Sequence, residues 1–444
     1  MFYESIIGLE IHIELGTNSK MFCCCPAAHF GQEPNTLVCP VCLGLPGALP
    51  VPNKKAVEWT VLTGLALGCQ IPLFSKFDRK NYSYPDLPKG YQISQYDLPL
   101  AQGGKFRLED KKIIRITRVH LEEDTGKLIH KKVEGKEVTL IDFNRSGVPL
   151  MEIVTEPDLN SVQEVKSFLQ KLQQLVRYLG VSEADMEKGQ MRCEPTINLK
   201  IIKDKQAYFT PLVELKNINS FRFVQKAIDY EIRRQQKEFE RTGREKLLGN
   251  KTTRGWDEAQ NKTVLHREKE EAHDYRYFPE PDIPPIRWKK EEIEALRKSL
   301  PELPDEKKEK FLRDYHLPKD YLRILTATTA IADYFNEAAK KGEEQSLSPE
   351  EIANVIVNKR MNIKKLSPQE LVELLAKQRK KIKLSKEDLS KNIKGVIKEN
   401  QPAVKDYLKG KEGAIEFLVG QVARKTKGQA DPNQTRKLLI EKLK

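Results

Sequence analysis

Four prolines within nine residues, in the run Phe278-Pro-Glu-Pro-Asp-Ile-Pro-Pro-Ile286, divide this chain more sharply than any other feature. No helix or central strand tolerates such a run, so a boundary is expected just after it. Before it, apolar runs at residues 6–15, 112–121, 138–143 and 148–154 alternate with turn residues and predict strands, while 54–67, 161–178 and 221–241 carry helical spacing. After it the spacing is helical throughout, over 291–300, 305–315, 319–341, 348–357 and 368–380. Ser348-Pro-Glu-Glu and Ser367-Pro-Gln-Glu each combine a Ser cap, a first-turn proline and acids that complement the helix dipole. A further helical unit is expected from about Leu384, opened by Ser385-Lys-Glu-Asp, with helices over 414–425 and from Asp431-Pro432 to Lys444. The reading is an α+β chain, with a sheet domain over 1–290, a helical domain over 291–382 and a helical tail over 383–444.

Charge is distributed as unevenly as structure. The 444 residues carry a net +13, and residues 351–444 alone hold 23 Lys and Arg against 11 Asp and Glu, or +12. A concentrated excess of this kind attracts polyanions by counterion release and leaves the nearly neutral remainder free to bind something smaller. No stretch approaches the roughly 18 consecutive apolar residues of a membrane helix, and the start Met1-Phe-Tyr-Glu-Ser5 carries an early acid; no membrane role and a cytoplasmic location are expected. Five of the seven cysteines fall between Cys23 and Cys42, a spacing that favours metal over a disulfide framework.

Those cysteines, Cys23-Cys24-Cys25 and then Cys39-Pro-Val-Cys42, form two close groups joined by a loop, which is what a tetrahedral zinc site needs. Cys23, Cys25, Cys39 and Cys42 are the expected ligands, and a closed four-thiolate site would be structural. Unligated buried thiols are the competing reading. A second constellation is Gly8-Leu-Glu-Ile-His-Ile-Glu-Leu15. In a strand it turns Glu10, His12 and Glu14 to one face and Leu9, Ile11, Ile13 and Leu15 to the other. A solvated strand face would read the same way. Two further features weigh against it: Glu122-Glu123-Asp124 ends a strand, and Glu152 interrupts an apolar run, where an unpaired carboxylate costs several kcal/mol. Carboxylates with an imidazole suit a hard cation such as magnesium and hence an ATP-using site, although neither G-x-x-x-x-G-K nor G-x-G-x-x-G occurs.

Residues 76–91, Met191-Arg-Cys-Glu194, Glu214-Leu-Lys-Asn-Ile-Asn-Ser220 and Asp274-Tyr-Arg-Tyr-Phe-Pro-Glu-Pro-Asp282 are dense in polar and aromatic side chains suited to anionic or planar ligands. Structural ion pairs would explain any one of them equally well. In the basic tail, Arg424, Lys425 and Lys427 gather at a helix end. They serve either as dipole complements or as phosphate contacts.

In order along the chain, Ile7-Gly-Leu-Glu-Ile-His-Ile-Glu-Leu15, the paired-cysteine loop running into Leu43-Gly-Leu-Pro-Gly47, Asp78-Arg-Lys-Asn-Tyr82 with Tyr91-Gln-Ile-Ser-Gln95, His120-Leu-Glu-Glu-Asp124, Glu214-Leu-Lys-Asn217, the 274–282 segment and Phe417-Leu-Val-Gly-Gln421 resemble the GatB/GatE family over almost the whole length. No large inserted domain separates the sheet domain from the tail, which favours the branch of the family without one. The resemblance implies a cradle domain with an antiparallel-rich, glutamine synthetase-like sheet, an all-α domain and a YqeY-like tail. It also implies a glutamine-dependent carbon–nitrogen ligase. In that reaction the side-chain carboxylate of misacylated Glu-tRNA(Gln) or Asp-tRNA(Asn) is activated with ATP and magnesium, then amidated with ammonia from a GatA glutaminase partner, with GatC completing a heterotrimer.

Carried onto this sequence, the resemblance makes His12, Glu123 and Glu152 magnesium ligands with Glu10 beside them, and all four catalytic. It makes Lys80, Tyr82 and Arg192 phosphate or substrate contacts, and the four cysteines a zinc site. The family's pattern is not recognisable between about Gly342 and Lys398, and Cys24 has no assigned role. The chain shows no glutaminase constellation of its own, so glutamine should serve only with a partner. The competing functions are a non-catalytic, zinc-stabilised tRNA-binding module, which leaves Glu152 unexplained, and a ligase for a free amino acid, which leaves the basic tail unexplained.

Overall fold

The computed structural model describes the chain apart from residues 248, 269–274, 360–361, 364, 383–385, 412, 427–429 and 444, and apart from the side chains of 267–268, 380–382 and 386. Residues Met1–Glu306 form one compact unit and Lys307–Lys444 a second.

The strands of the first unit are β1 (Phe2–Glu14), β2 (Phe74–Ser75), β3 (Asp78–Asn81), β4 (Tyr91–Ser94), β5 (Ala101–Arg107), β6 (Ile113–Glu123), β7 (Lys127–Val133), β8 (Lys136–Asp142), β9 (Pro149–Thr155), β10 (Met191–Lys203), β11 (Gln206–Phe209), β12 (Val213–Lys216), β13 (Thr252–Asp257), β14 (Lys262–Glu268), β15 (Phe278–Pro279) and β16 (Ile286–Arg287). Nine of them make one sheet in the order β14-β13-β12-β10-β1-β9-β6-β5, with β11 on β10. Its pairs are antiparallel except β12 with β13, as expected of an antiparallel-rich cradle.

Parity explains why the sheet has one greasy face. Ile7, Leu9, Ile11 and Ile13 of β1 are all but fully buried, and they join Ile114, Ile116, Met151, Ile153 and Ile197 from neighbouring strands in one core. Over that core lie α1 (Lys54–Ala66), α2 (Val162–Tyr178) and α3 (Phe221–Thr242). Each starts at a side-chain cap: Asn53 accepts from Ala56 N, Ser161 from Glu164 N and Ser220 from Phe223 N. Helix α3 stops at Gly243, whose φ of +63° a side chain would resist. Buried Phe168 and Leu172 of α2 contribute about 2 kcal/mol each to the adhesion of helix to sheet. With the helices on one face, the polar face is left open.

The proline-rich run is more regular than the sequence implies. β15 adds to β3 and β4, and β16 pairs with β2. Both are two-residue edge pieces, the one place where a missing proline N–H leaves no ladder bond unmade. The run is thereby strapped back onto the first unit, and α4 (Lys290–Lys298) packs Ile293 and Leu296 against the same core.

The remaining helices are α5 (Pro304–Tyr315), α6 (Lys319–Leu325), α7 (Thr329–Glu344), α8 (Pro349–Val357), α9 (Pro368–Ile382), α10 (Lys386–Glu399), α11 (Gln401–Leu408), α12 (Gly413–Lys425) and α13 (Pro432–Leu443). One core gathers Phe311, Leu325, Phe335, Ile352 and Leu371; another gathers Leu389, Ile393, Leu418, Val422 and Leu439. The single helix expected over 319–341 is two. Thr326 Oγ1 bonds back to Leu322 O at 2.8 Å, and Thr328 caps α7 by accepting from Ile331 N, so the chain restarts between them. Helix α11 was not expected. The proposed cap Ser385 and the start near Leu384 lie outside the described residues. No described helix is long and apolar enough to cross a membrane.

Candidate active site and thiol cluster

The open polar face of the four central strands carries the chemistry. Register sets His12 of β1 opposite Glu152 of β9 and Arg192 of β10, Glu10 opposite Glu194, and His120 of β6 opposite Glu152. Glu214 of β12 lies opposite Thr196 on the next strand. All of these but Thr196 line a cleft of about 360 Å³.

Two groups of donors stand out within the cleft. His12, Glu122 and Glu152 place one ligand atom each within 4.8 Å of one another, and so do Glu10, Glu194 and Glu214. Glu152 Oε2 is 3.2 Å from both His12 Nε2 and His120 Nε2, and Glu122 Oε1 is 3.7 Å from His12. Arg118 Nε donates to His120 Nδ1 at 3.2 Å, and Ser94 Oγ to Glu122 at 2.8 Å. Lys216 is 3.2 Å from Glu194 and 3.9 Å from Glu214. An imidazole with two carboxylates, beside a purely carboxylate trio, is the donor chemistry of hard divalent cations, so magnesium fits both groups.

The electrostatics follow from so much charge in one place. Burial opposes charge on His12, but Glu152, Glu194 and Glu122 outweigh it and push its pKa up to about 9. Burial, then Glu152, Glu214 and Glu194, push Glu10 up to about 7, with His12 pulling the other way. Glu152 stays well below the usual carboxylate range, because His120 and His12 more than offset its burial. Lys80 is likewise held charged against burial by Glu122, Tyr277 and Glu152. It sits 4.8 Å from the Tyr275 ring and 5.9 Å from that of Tyr82. Tyr96 and Tyr277 stack at 4.4 Å beside it.

The structure therefore brings together Glu10, His12, Glu152, Lys80, Tyr82 and Arg192, but it corrects Glu123. Strand parity turns Glu122 into the cleft and Glu123 to the opposite face, where Lys89 Nζ reaches Oε1 at 2.5 Å and Ile93 N donates to the same oxygen at 3.0 Å. Glu122 takes the place assigned to Glu123. Glu123→Gln should accordingly lower stability by about 3 kcal/mol, because Lys89 loses its carboxylate in a site only 12% exposed, and should leave magnesium affinity within twofold. Chemical denaturation and calorimetric titration read the two effects separately; a variant that loses magnesium but not stability would reverse the assignment. His120, Glu194, Glu214 and Lys216 have no role in the sequence reading. The first was legible from parity in His120-Leu-Glu-Glu, and the others only as members of polar segments.

On the other side of β1's end, the Sγ atoms of Cys23, Cys25, Cys39 and Cys42 all lie within 4.8 Å of one another. Cys23 hydrogen bonding, the Cys39 N–H at 3.2 Å and Lys20 Nζ at 3.6 Å pull the Cys42 thiol down to about 4 despite burial, so one thiolate is favoured before any metal arrives. Burial and neighbouring thiols hold Cys25 up at about 11. Four convergent thiols with a ready thiolate fit zinc. Cys24 is exposed, and Cys69 and Cys193 are buried elsewhere. In the tail, Arg424 and Lys425 are exposed at the end of α12, with Lys425 paired to Glu399; Lys427 lies outside the described residues.

Comparison with known proteins gives the family. The model of the GatB/GatE catalytic domain matches residues 5–294, and that of the GatB domain matches 325–443. The B subunit of the aspartyl/glutamyl-tRNA(Asn/Gln) amidotransferase of Thermomicrobium roseum is 47% identical over 484 residues, covering 100% of this chain and 99% of the relative. The proteins of the same name from Caldicellulosiruptor saccharolyticus and Thermoanaerobacter pseudethanolicus are each 45% identical, covering 100% of this chain and 99% and 100% of theirs. These alignments run over 486 and 483 residues against 444 here, so the relatives carry residues that this chain lacks. With the domain models and the full-length relatives in agreement, the chain belongs to the GatB/GatE family.

Proposed function

We propose that this chain is the B subunit of a tRNA-dependent amidotransferase. It activates the side-chain carboxylate of misacylated Glu-tRNA(Gln) or Asp-tRNA(Asn) with ATP and then exchanges the phosphate for ammonia. The observation that carries the reading is the cleft itself, two hard-donor groups on one sheet face flanked by Arg192, Lys216 and Lys80, in a chain alike over its full length to proteins of that name.

A carboxylate is a poor electrophile until one oxygen becomes a phosphate leaving group. His12, Glu122 and Glu152, and the trio Glu10, Glu194 and Glu214, would hold divalent cations, which when bound neutralise charge on phosphoryl oxygens. Arg192 and Lys216, both lining the cleft, bind the anionic oxygens of the reactants. Tyr82, Tyr96, Tyr275 and Tyr277, beside Lys80, offer faces for a planar base. Burial and the neighbouring acids push Glu10 up to about 7 in the metal-free chain, so a cation held by its trio would also stabilise its charged form. Zinc would fix the thiol loop, and Arg424, Lys425 and Lys427 in the basic tail meet the tRNA backbone. Ammonia comes from a GatA glutaminase, GatC completes the complex, and the location is cytoplasmic.

The test is conversion of Glu-tRNA(Gln) to Gln-tRNA(Gln) with ATP, magnesium and ammonium chloride, with and without the amidase partner. We expect ATP-dependent amide formation from ammonium by this chain, and from glutamine only with the partner. Tight tRNA binding without amide even in the full complex would replace this reading with the zinc-stabilised binding module.

A further inference from the structure

A closed four-thiol site is ordinarily a local staple. Here its loop is bonded to the catalytic cleft at two places. His29, between Cys25 and Cys39, places Nε2 3.1 Å from Glu14 Oε2. Glu14 continues the Glu10–His12 face of β1, is only 6% exposed, and its other oxygen has no hydrogen-bond partner. The second attachment is the turn between β8 and β9. Asn35 exchanges hydrogen bonds with Ile141 O and Phe143 N, and Asn144 Oδ1 accepts from Leu37 N at 2.8 Å. That turn leads straight into the cleft, since Gly147 N donates to Asp124 O at 2.9 Å and Arg145 Nε lies 3.6 Å from Asp124 Oδ2.

Both attachments converge on one cation. Asp124 is bonded by Arg192, and Glu14 is the next acid facing it. Arg192 Nε is buried with no partner among the described residues. A buried donor left unmade costs about 1–3 kcal/mol, so a guanidinium kept in this state is suited to an anion from outside the protein.

We propose that the thiol loop positions Arg192 for anion binding, through His29–Glu14 and through the 142–147 turn, so that zinc in the loop and a phosphate-bearing ligand in the cleft strengthen each other. The inference rests on the reading of the cleft as a phosphate-binding site. Reciprocity is required: if zinc tightens the ligand by some factor, the ligand tightens zinc by the same factor. His29 is a positioning residue here, since it touches neither zinc nor ligand.

The experiment titrates ADP with magnesium into the full chain by calorimetry, in zinc-loaded, zinc-stripped, His29→Phe and His29→Gln forms, with zinc content measured on each. We expect binding about tenfold weaker for the stripped protein and for His29→Phe, although His29→Phe keeps one equivalent of zinc. His29→Gln, which retains a donor, should restore most of the affinity. Zinc affinity, read by competition with a chromophoric chelator, should rise by the same factor under saturating ADP and magnesium. Equal nucleotide affinity in the zinc-loaded wild type and in zinc-replete His29→Phe would overturn this proposal alone. No binding to the zinc-loaded wild type would overturn the cleft assignment with it.

Discussion

Glu152→Gln should lower ammonium-dependent amide formation by about a thousandfold or more while the protein stays folded. Glu152 is the one residue that both histidines of the cleft approach at 3.2 Å, with Arg118 Nη2 at 3.8 Å from its second oxygen. Its charge is what holds His12 and His120 in place, and it is one of three donors in the His12 group. Glutamine has the same volume but turns an amide nitrogen toward one imidazole and removes the charge. The fold should survive because the neighbours Met151 and Ile153 point to the opposite face, where the core is untouched. Single-turnover conversion of Glu-tRNA(Gln), with circular dichroism and tRNA affinity as controls, checks this. The double variant with His12→Ala should be scarcely worse than either single one, since residues that act as a unit are far from additive. A variant with a tenth of wild-type turnover would remove Glu152 from the centre of the mechanism.

The part of this site that could be read from sequence was the part set by local periodicity. Alternation along Gly8–Leu15 gave one apolar and one Glu-His-Glu face, and the burial of Ile11 and Ile13 reproduces it. The same rule, applied to the run His120-Leu-Glu-Glu-Asp124, distinguishes Glu122 from Glu123, because only Glu122 shares the parity of His120. Glu123, the position carried over from the family resemblance, has the other parity. Glu194 and Glu214 were out of reach for another reason. They meet Glu10 only because β10 pairs with β1 across more than 180 residues of chain and β12 then adds to β10, and no local pattern encodes the first of those pairings. In the helical region, hydrophobic spacing runs on through Thr326–Thr328, so the break between α6 and α7 rests on threonine hydrogen bonds that spacing does not report. The convergence of the four thiols was legible from spacing, since they lie within twenty residues.

Magnesium should bind this cleft about tenfold more tightly for each pH unit between 7 and 9, then level off. His12 carries a proton up to about pH 9 in the metal-free chain, and an imidazole nitrogen must lose that proton to ligate. Below pH 7 Glu10 is also protonated, so occupancy of the separate Glu10, Glu194 and Glu214 group should fall about tenfold per unit there. Metal-free stability runs the other way. Both groups have folded pKa values above their ordinary ones, so their contribution is fully present below those ordinary values and is lost as pH rises through about 7 for Glu10 and about 9 for His12. The gain in melting temperature on adding magnesium should therefore widen steadily from pH 6 to pH 9. Calorimetric titration in buffers of different ionisation enthalpy counts the protons released, with about one expected at pH 8. Proton-free binding with a flat pH profile would mean that the cation avoids His12. The donor group around Glu10, Glu194 and Glu214 would then be the only one it uses.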